Sequence, residues 1–154
     1  MRRVRVVVLA LLGLFVLIQL RQVQHTNPPV DPAQDLEKHV DVPPDVEAIL
    51  DRSCRDCHSH ETRWPTYSYV APLSWYLASH VTRGREEMNL STWGQYDEET
   101  VKDTLIEICR QVRKGAMPVV EYTWLHRSAK ITAQDVERLC SWTVEARKKI
   151  QESQ

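Results

Sequence analysis

Cys54-Arg55-Asp56-Cys57-His58 is the run in this chain with the clearest chemistry. The spacing C-x-x-C-H is the attachment pattern of c-type haem. Two thiols one helical turn apart can form thioethers to the two vinyl groups of one haem. The following imidazole then lies where it can ligate the iron. The pattern predicts Cys54 and Cys57 as the thioether residues of one covalent haem c, and His58 as the proximal iron ligand. Three other chemistries share parts of the pattern. A thioredoxin-like dithiol wants a preceding strand in a βαβ setting, and none is visible. Structural zinc wants a second pair at matched spacing, whereas Cys109 and Cys140 stand far apart on two expected helices. A disulfide between Cys54 and Cys57 is the third.

An iron bound this way needs a sixth ligand or an open position. Lys114-Gly115-Ala116-Met117-Pro118 is the best source of one. Pro118 biases the residue before it away from helix, so Met117 is expected in a stiff extended loop that can offer its thioether. A Met/His pair raises the reduction potential and suits electron transfer. His80 and His126 are the alternatives.

Five tryptophans, Trp64, Trp75, Trp93, Trp124 and Trp142, are many for one small domain. They suit wrapping a flat apolar macrocycle, and Trp64, Trp75 and Trp93 are the expected cofactor-binding members. His80, Arg85 and Asn89 are expected to bond haem propionates or to build a buried network. Arg85 offers bidentate contact to a carboxylate, or pairs with Glu86 or Glu87 at the surface. Cys109 and Cys140 read either as a disulfide or as two small buried hydrophobes.

Helices must position these groups. Pro44 to Arg55 has Pro in its first turn and Val46, Ile49 and Leu50 on one face. Pro72 to Arg83 repeats Leu73, Leu77 and His80 or Val81, with Gly84 as its expected stop. Asp97 to Lys114 repeats Val101, Leu105, Ile108, Cys109 and Val112, with Gly115 just past its end. A fourth helix starts at Thr132 as N-cap, with Asp135 three residues on. No run alternates as a strand would. The expected fold is all-α, a bundle of about four helices around one covalent haem.

Val6 to Ile18 is a run without charge behind Arg2, Arg3 and Arg5. Residues 1–24 are therefore expected to be a signal anchor, a transmembrane helix that holds the chain at the bacterial inner membrane with its domain facing the periplasm. Residues 25–43 carry Pro28, Pro29, Pro32 and Pro43 and read as a spacer. Residues 44–150 form the domain.

Composition excludes several classes. The 154 residues are 42% hydrophobic and 27% charged, which fits neither a polytopic membrane protein nor a disordered chain. The 4 glycines form no phosphate-binding loop. The net charge of −1 gives no pull toward nucleic acid. Four of the 20 Lys+Arg precede residue 27 and none of the 21 acids does, which leaves 16 against 21 beyond it, a net of −5. That acidity suits docking to redox partner proteins with a basic face.

The chain resembles the haem-binding domain family of small bacterial c-type cytochromes. The stretches that carry the resemblance begin with Cys54–Ser59 and Glu61–Ser68, which holds Trp64-Pro65 and Tyr67. Ala71–Trp75, His80-Val81, Gly84-Arg85 and Asn89–Trp93 follow. Gly115–Pro118, Tyr122, His126 and Trp142 complete the set, over about residues 44–145. The resemblance implies a covalent haem on an α-helical, cytochrome c-like domain with an electron-transfer role. The Cys109/Cys140 pair stands outside the family pattern. The expected function is a membrane-anchored monohaem carrier of single electrons, not an enzyme. A peroxidase-like haem enzyme and a diatomic-gas sensor are the alternatives, both of which need an open or displaceable iron position.

Overall fold

The computed structural model describes residues 1–152, and among them the chain is helical without strands. Eight α-helices follow one another: α1 (Arg2–Gln19), α2 (Leu36–His39), α3 (Pro44–Ser53), α4 (Arg55–His58), α5 (Leu73–Glu87), α6 (Glu98–Arg113), α7 (Val120–Leu125) and α8 (Ala133–Glu152). Short 3-10 turns cover Thr66–Tyr69, Leu90–Gln95 and Arg127–Ala129. The four helices expected from periodicity are α3, α5, α6 and α8.

Local chemistry sets their ends. Pro44 opens α3, where its missing N–H costs nothing. The Asp97 carboxylate accepts from Thr100 N at 2.7 Å and caps α6. At the other end of α6, Gly115 takes φ 66°, Ala116 N donates to Gln111 O at 3.0 Å and Gly115 N to Val112 O at 3.1 Å. This is a Schellman cap, and it needs a residue that tolerates the left-handed region. Thr132 and Asp135 cap α8 reciprocally: Thr132 N donates to Asp135 Oδ2 at 2.8 Å, and Asp135 N to Thr132 Oγ1 at 3.2 Å.

One apolar core joins α2, α3, the 90–95 turn, α6 and α8. It holds Leu36, Leu50, Leu90, Trp93, Leu105 and Leu139, all nearly or fully buried, with Trp142 beside them. Burying each such side chain stabilises the fold by about 1.5–3 kcal/mol. A disulfide between Cys109 and Cys140 fastens α6 to α8, with Cα atoms 4.8 Å apart. Helices α4, α5 and α7 lie outside this core and form the other half of the molecule.

Three features differ from the sequence reading. Helix α1 has 18 residues, but Arg2, Arg3 and Arg5 belong to it. A helix needs roughly 20 consecutive apolar residues to cross the hydrocarbon core of a bilayer. The apolar part of α1, Val6 to Ile18, falls well short of that. No helix among the described residues is long and apolar enough to cross a membrane. The expected transmembrane helix, and the inner-membrane placement that rested on it, are therefore overturned. Residues 25–43, expected as a spacer, contain α2, which places Leu36 and Val40 in the core. Helix α5 runs through Gly84 to Glu87, so Gly84 is not its stop.

Candidate haem site

Helix α4 is a single turn that contains most of the Cys54–His58 run. It starts where α3 ends: Cys54 N still donates to Leu50 O at 2.9 Å, while Cys54 O already accepts from His58 N at 2.9 Å. The chain kinks there, with Cys54 at φ −126°. The kink turns Cys57 and His58 away from the α3 face and toward α5.

Both thiols are free of disulfide bonds. Burial, reinforced by its neighbour Cys57, pushes Cys54 up to about 12, and burial together with the Asp56 charge pushes Cys57 up to about 11. Both therefore remain protonated at neutral pH. A redox-active dithiol needs the opposite shift on its nucleophile, so this environment argues against the thioredoxin-like chemistry. Among the described residues no cluster of three or more His, Cys, Asp or Glu is arranged to hold a metal ion, and Cys109 and Cys140 bond to each other.

His58 Nδ1 lies 3.1 Å from the carbonyl oxygen of Met88. A carbonyl only accepts, so Nδ1 carries the hydrogen and Nε2 carries the lone pair. Burial also pushes the imidazole below its usual pKa, against the opposing pull of the Met88 and Gly84 backbone, and keeps it neutral. A neutral ring with its tautomer fixed by a carbonyl is the form that binds metals.

A narrow cleft of about 20 Å³, room for about one water molecule, opens beside Cys57. Trp64, Pro65 and Tyr67 form one wall, Leu77 and Val81 of α5 another, and Tyr122 of α7 closes it together with His126 just beyond. Polar bonds set the α7 side. Tyr122 Oη donates to Asp56 Oδ2 at 2.6 Å, and the other Asp56 oxygen accepts from Arg63 Nε at 3.0 Å. Burial and the Asp56 bond push the Tyr122 hydroxyl far above its usual range, so it remains a donor. His126 stacks on Tyr122 at 4.2 Å and contacts the Tyr67 hydroxyl through Nε2. Leu73, Tyr76, Val120, Trp124 and Leu125, on the two helices that border this cleft, are left exposed. Exposed large apolar side chains on neighbouring helices mark a binding surface.

The other expected site residues are spread more widely. Trp75 donates its indole N–H to Arg21 O at 2.8 Å. Trp93 is buried in the core, away from the cleft walls. The His80 ring lies tilted against Tyr76, with centroids 4.2 Å apart. Arg85 bonds Ser59 O through Nε at 2.7 Å and Thr62 Oγ1 through Nη2 at 2.8 Å, which fixes the loop after His58. Asn89 caps the 90–95 turn by accepting from Ser91 N, and donates to His60 Nε2 at 2.9 Å. Met117 stands exposed in the loop before α7 and does not line the cleft.

Sequence alone does not single out Gly84, Leu77 and Val81 as site residues. Leu77 and Val81 are legible as neighbours on one helix face. The role of Gly84 is not, because it depends on α4 lying against α5.

Two unbonded thiols, a tautomer-fixed histidine directly after them and a cleft beside Cys57, which Cys54 and His58 do not line, make up the candidate site. A family model described as a haem-binding domain matches residues 13–145, and the chain belongs to that family. No curated protein and no solved structure matches it.

Proposed function

We propose that this haem-binding domain is a monohaem c-type cytochrome domain that carries single electrons between redox partners. Cys54 and Cys57 would hold the haem as thioethers, and His58 Nε2 and the Met117 thioether would ligate its iron. When bound, the group supplies one-electron Fe(II)/Fe(III) cycling. The chain's own residues do the rest. The Met88 carbonyl orients His58, and Trp64, Leu77 and Val81 exclude water from one side of the cleft. Tyr122, tied to Asp56, anchors α7 against α4.

The observation that carries this reading is the His58–Met88 hydrogen bond, which leaves Nε2 as the lone-pair nitrogen in the residue that directly follows Cys57. Met117 is taken as the second ligand on the Gly115–Pro118 stretch of the sequence, and it stands exposed in the loop before α7. Met88, the other methionine of the domain, is buried in the core. The acidic balance beyond residue 27 favours a basic partner face, with association that weakens as salt rises.

Absorption spectra of the oxidised and reduced protein test the reading, with carbon monoxide added to the reduced form. The account predicts a low-spin spectrum with a methionine–iron band that carbon monoxide does not shift, and loss of that band in Met117→Ala. A wild-type spectrum that shifts with carbon monoxide would replace the carrier with a gas-binding or peroxide-reducing site.

A further inference from the structure

Residues 19–29 bond to the loop that leads from His58 to α5 and to α5 itself. The Gln19 side-chain amide bonds both sides of one residue's backbone: Nε2 donates to Ala71 O at 3.1 Å, and Oε1 accepts from Ala71 N at 2.9 Å. Arg21 O accepts the Trp75 indole N–H, and the Arg21 guanidinium lies 5.7 Å from the same ring. His25 meets Trp64 edge-on at 4.7 Å and Tyr69 at 4.4 Å.

Asn27 is the densest point. Its Oδ1 accepts from the Trp64 indole N–H at 3.2 Å and from Arg85 Nη2 at 2.9 Å, while its Nδ2 donates to Thr62 O at 2.8 Å. One carboxamide thus joins a cleft wall, helix α5 and the loop after His58. Its oxygen has two lone pairs and both are used. A carboxylate would keep the two acceptor bonds and lose the donor, and an aliphatic side chain would lose all three.

We propose that residues 19–29 form a strap that closes one wall of the haem crevice, with Asn27 as the positioning residue that holds Trp64 beside Cys57. The inference rests on the haem reading of the cleft. Trp64 lines the cleft, yet its N–H partner lies in the strap. Loosening the strap frees Trp64 to swing outward and admits small solutes.

The test uses the full haem-loaded chain and measures how fast imidazole binds the oxidised protein. Asn27→Leu is expected to bind at least about fivefold faster than wild type, the ratio that the lost bond to Trp64 carries by itself. Asn27→Asp, which keeps the bond to Trp64, is expected to stay within about twofold of wild type. A lowered melting temperature with an unchanged imidazole rate would show Asn27 to be merely structural and overturn the proposal. If Asn27→Leu does not fold, Trp64→Phe removes the same bond and should give the same acceleration; an unchanged rate there also overturns it. If the wild-type chain proves to carry no haem, the haem reading fails on its own, and hydrogen exchange of the Trp64 indole N–H decides the strap. Faster exchange in Asn27→Leu supports the strap, and equal exchange overturns it.

Discussion

Gly84 lies directly against the backbone of Cys57. A Cβ at Gly84 would stand 2.5 Å from the Cys57 carbonyl oxygen and 3.0 Å from its carbonyl carbon. The obstacle is backbone, which cannot rotate aside as a side chain can. The absent side chain at Gly84 lets α5 approach α4 closely enough for the Met88 carbonyl, four residues on, to reach His58.

Gly84→Ala should therefore destabilise the domain. Helix propensity favours the substitution by about 1 kcal/mol. Overpacking costs about 1–3 kcal/mol, and more against a fixed backbone. The expected net loss is about 1–2 kcal/mol in denaturant melts, accompanied by reduced haem incorporation. Gly115→Ala provides the contrast. Its left-handed φ makes any side chain costly, by about 1–2 kcal/mol. Nothing lies within 4 Å of a Cβ there, however. It should lose stability while its haem content per folded chain stays at the wild-type level.

The misreading of Gly84 shows what periodicity can and cannot carry. A glycine at the end of an apolar repeat reads as a helix stop, and only the neighbour across the interface reveals a close approach. The capping signals at Thr132–Asp135 and Gly115 are legible because caps are local. So is the Cys54–His58 run, whose chemistry lies in its spacing. The strap is not legible, since it holds by amide and indole bonds and has no apolar repeat. The tryptophans show the limit of composition: Trp93 and Trp142 are core, Trp64 is a cleft wall, and Trp124 is 69% exposed.

The Cys109–Cys140 bond closes α6 onto α8 across a sequence separation of 31. Constraining the unfolded chain over such a loop stabilises by about 2–4 kcal/mol. The double variant Cys109→Ala/Cys140→Ala should lose that amount in denaturant melts. Its absorption spectrum should not change, because the bond belongs to the core half of the molecule and not to the cleft. A reductant should lower the melting temperature of wild type and leave the double variant unaffected.

Asp135 couples stability to pH. Burial raises its pKa, but bonds from Thr132 and Arg52 outweigh this and hold the carboxyl below its usual range. The Arg52 guanidinium approaches it at 2.8 Å and ties α3 to α8. A carboxyl depressed in the folded state contributes stability that is complete above its unfolded pKa and fades as pH falls through its folded one. Asp135→Asn should therefore cost about 1.5–2 kcal/mol at pH 7, at the low end of the range for hydrogen bonds to a charged group. The difference from wild type should shrink as the pH drops below about 4. A cost that stays constant down to acid pH would assign the effect to shape and not to charge.

The central claim is that Cys54 and Cys57 hold haem covalently, and intact-protein mass under denaturing conditions tests it most directly. The protein matured with haem-attachment machinery should retain one haem per chain after unfolding. Cys54→Ala/Cys57→Ala should retain none. A wild-type chain that releases its haem on unfolding, or never acquires it, would contradict the account.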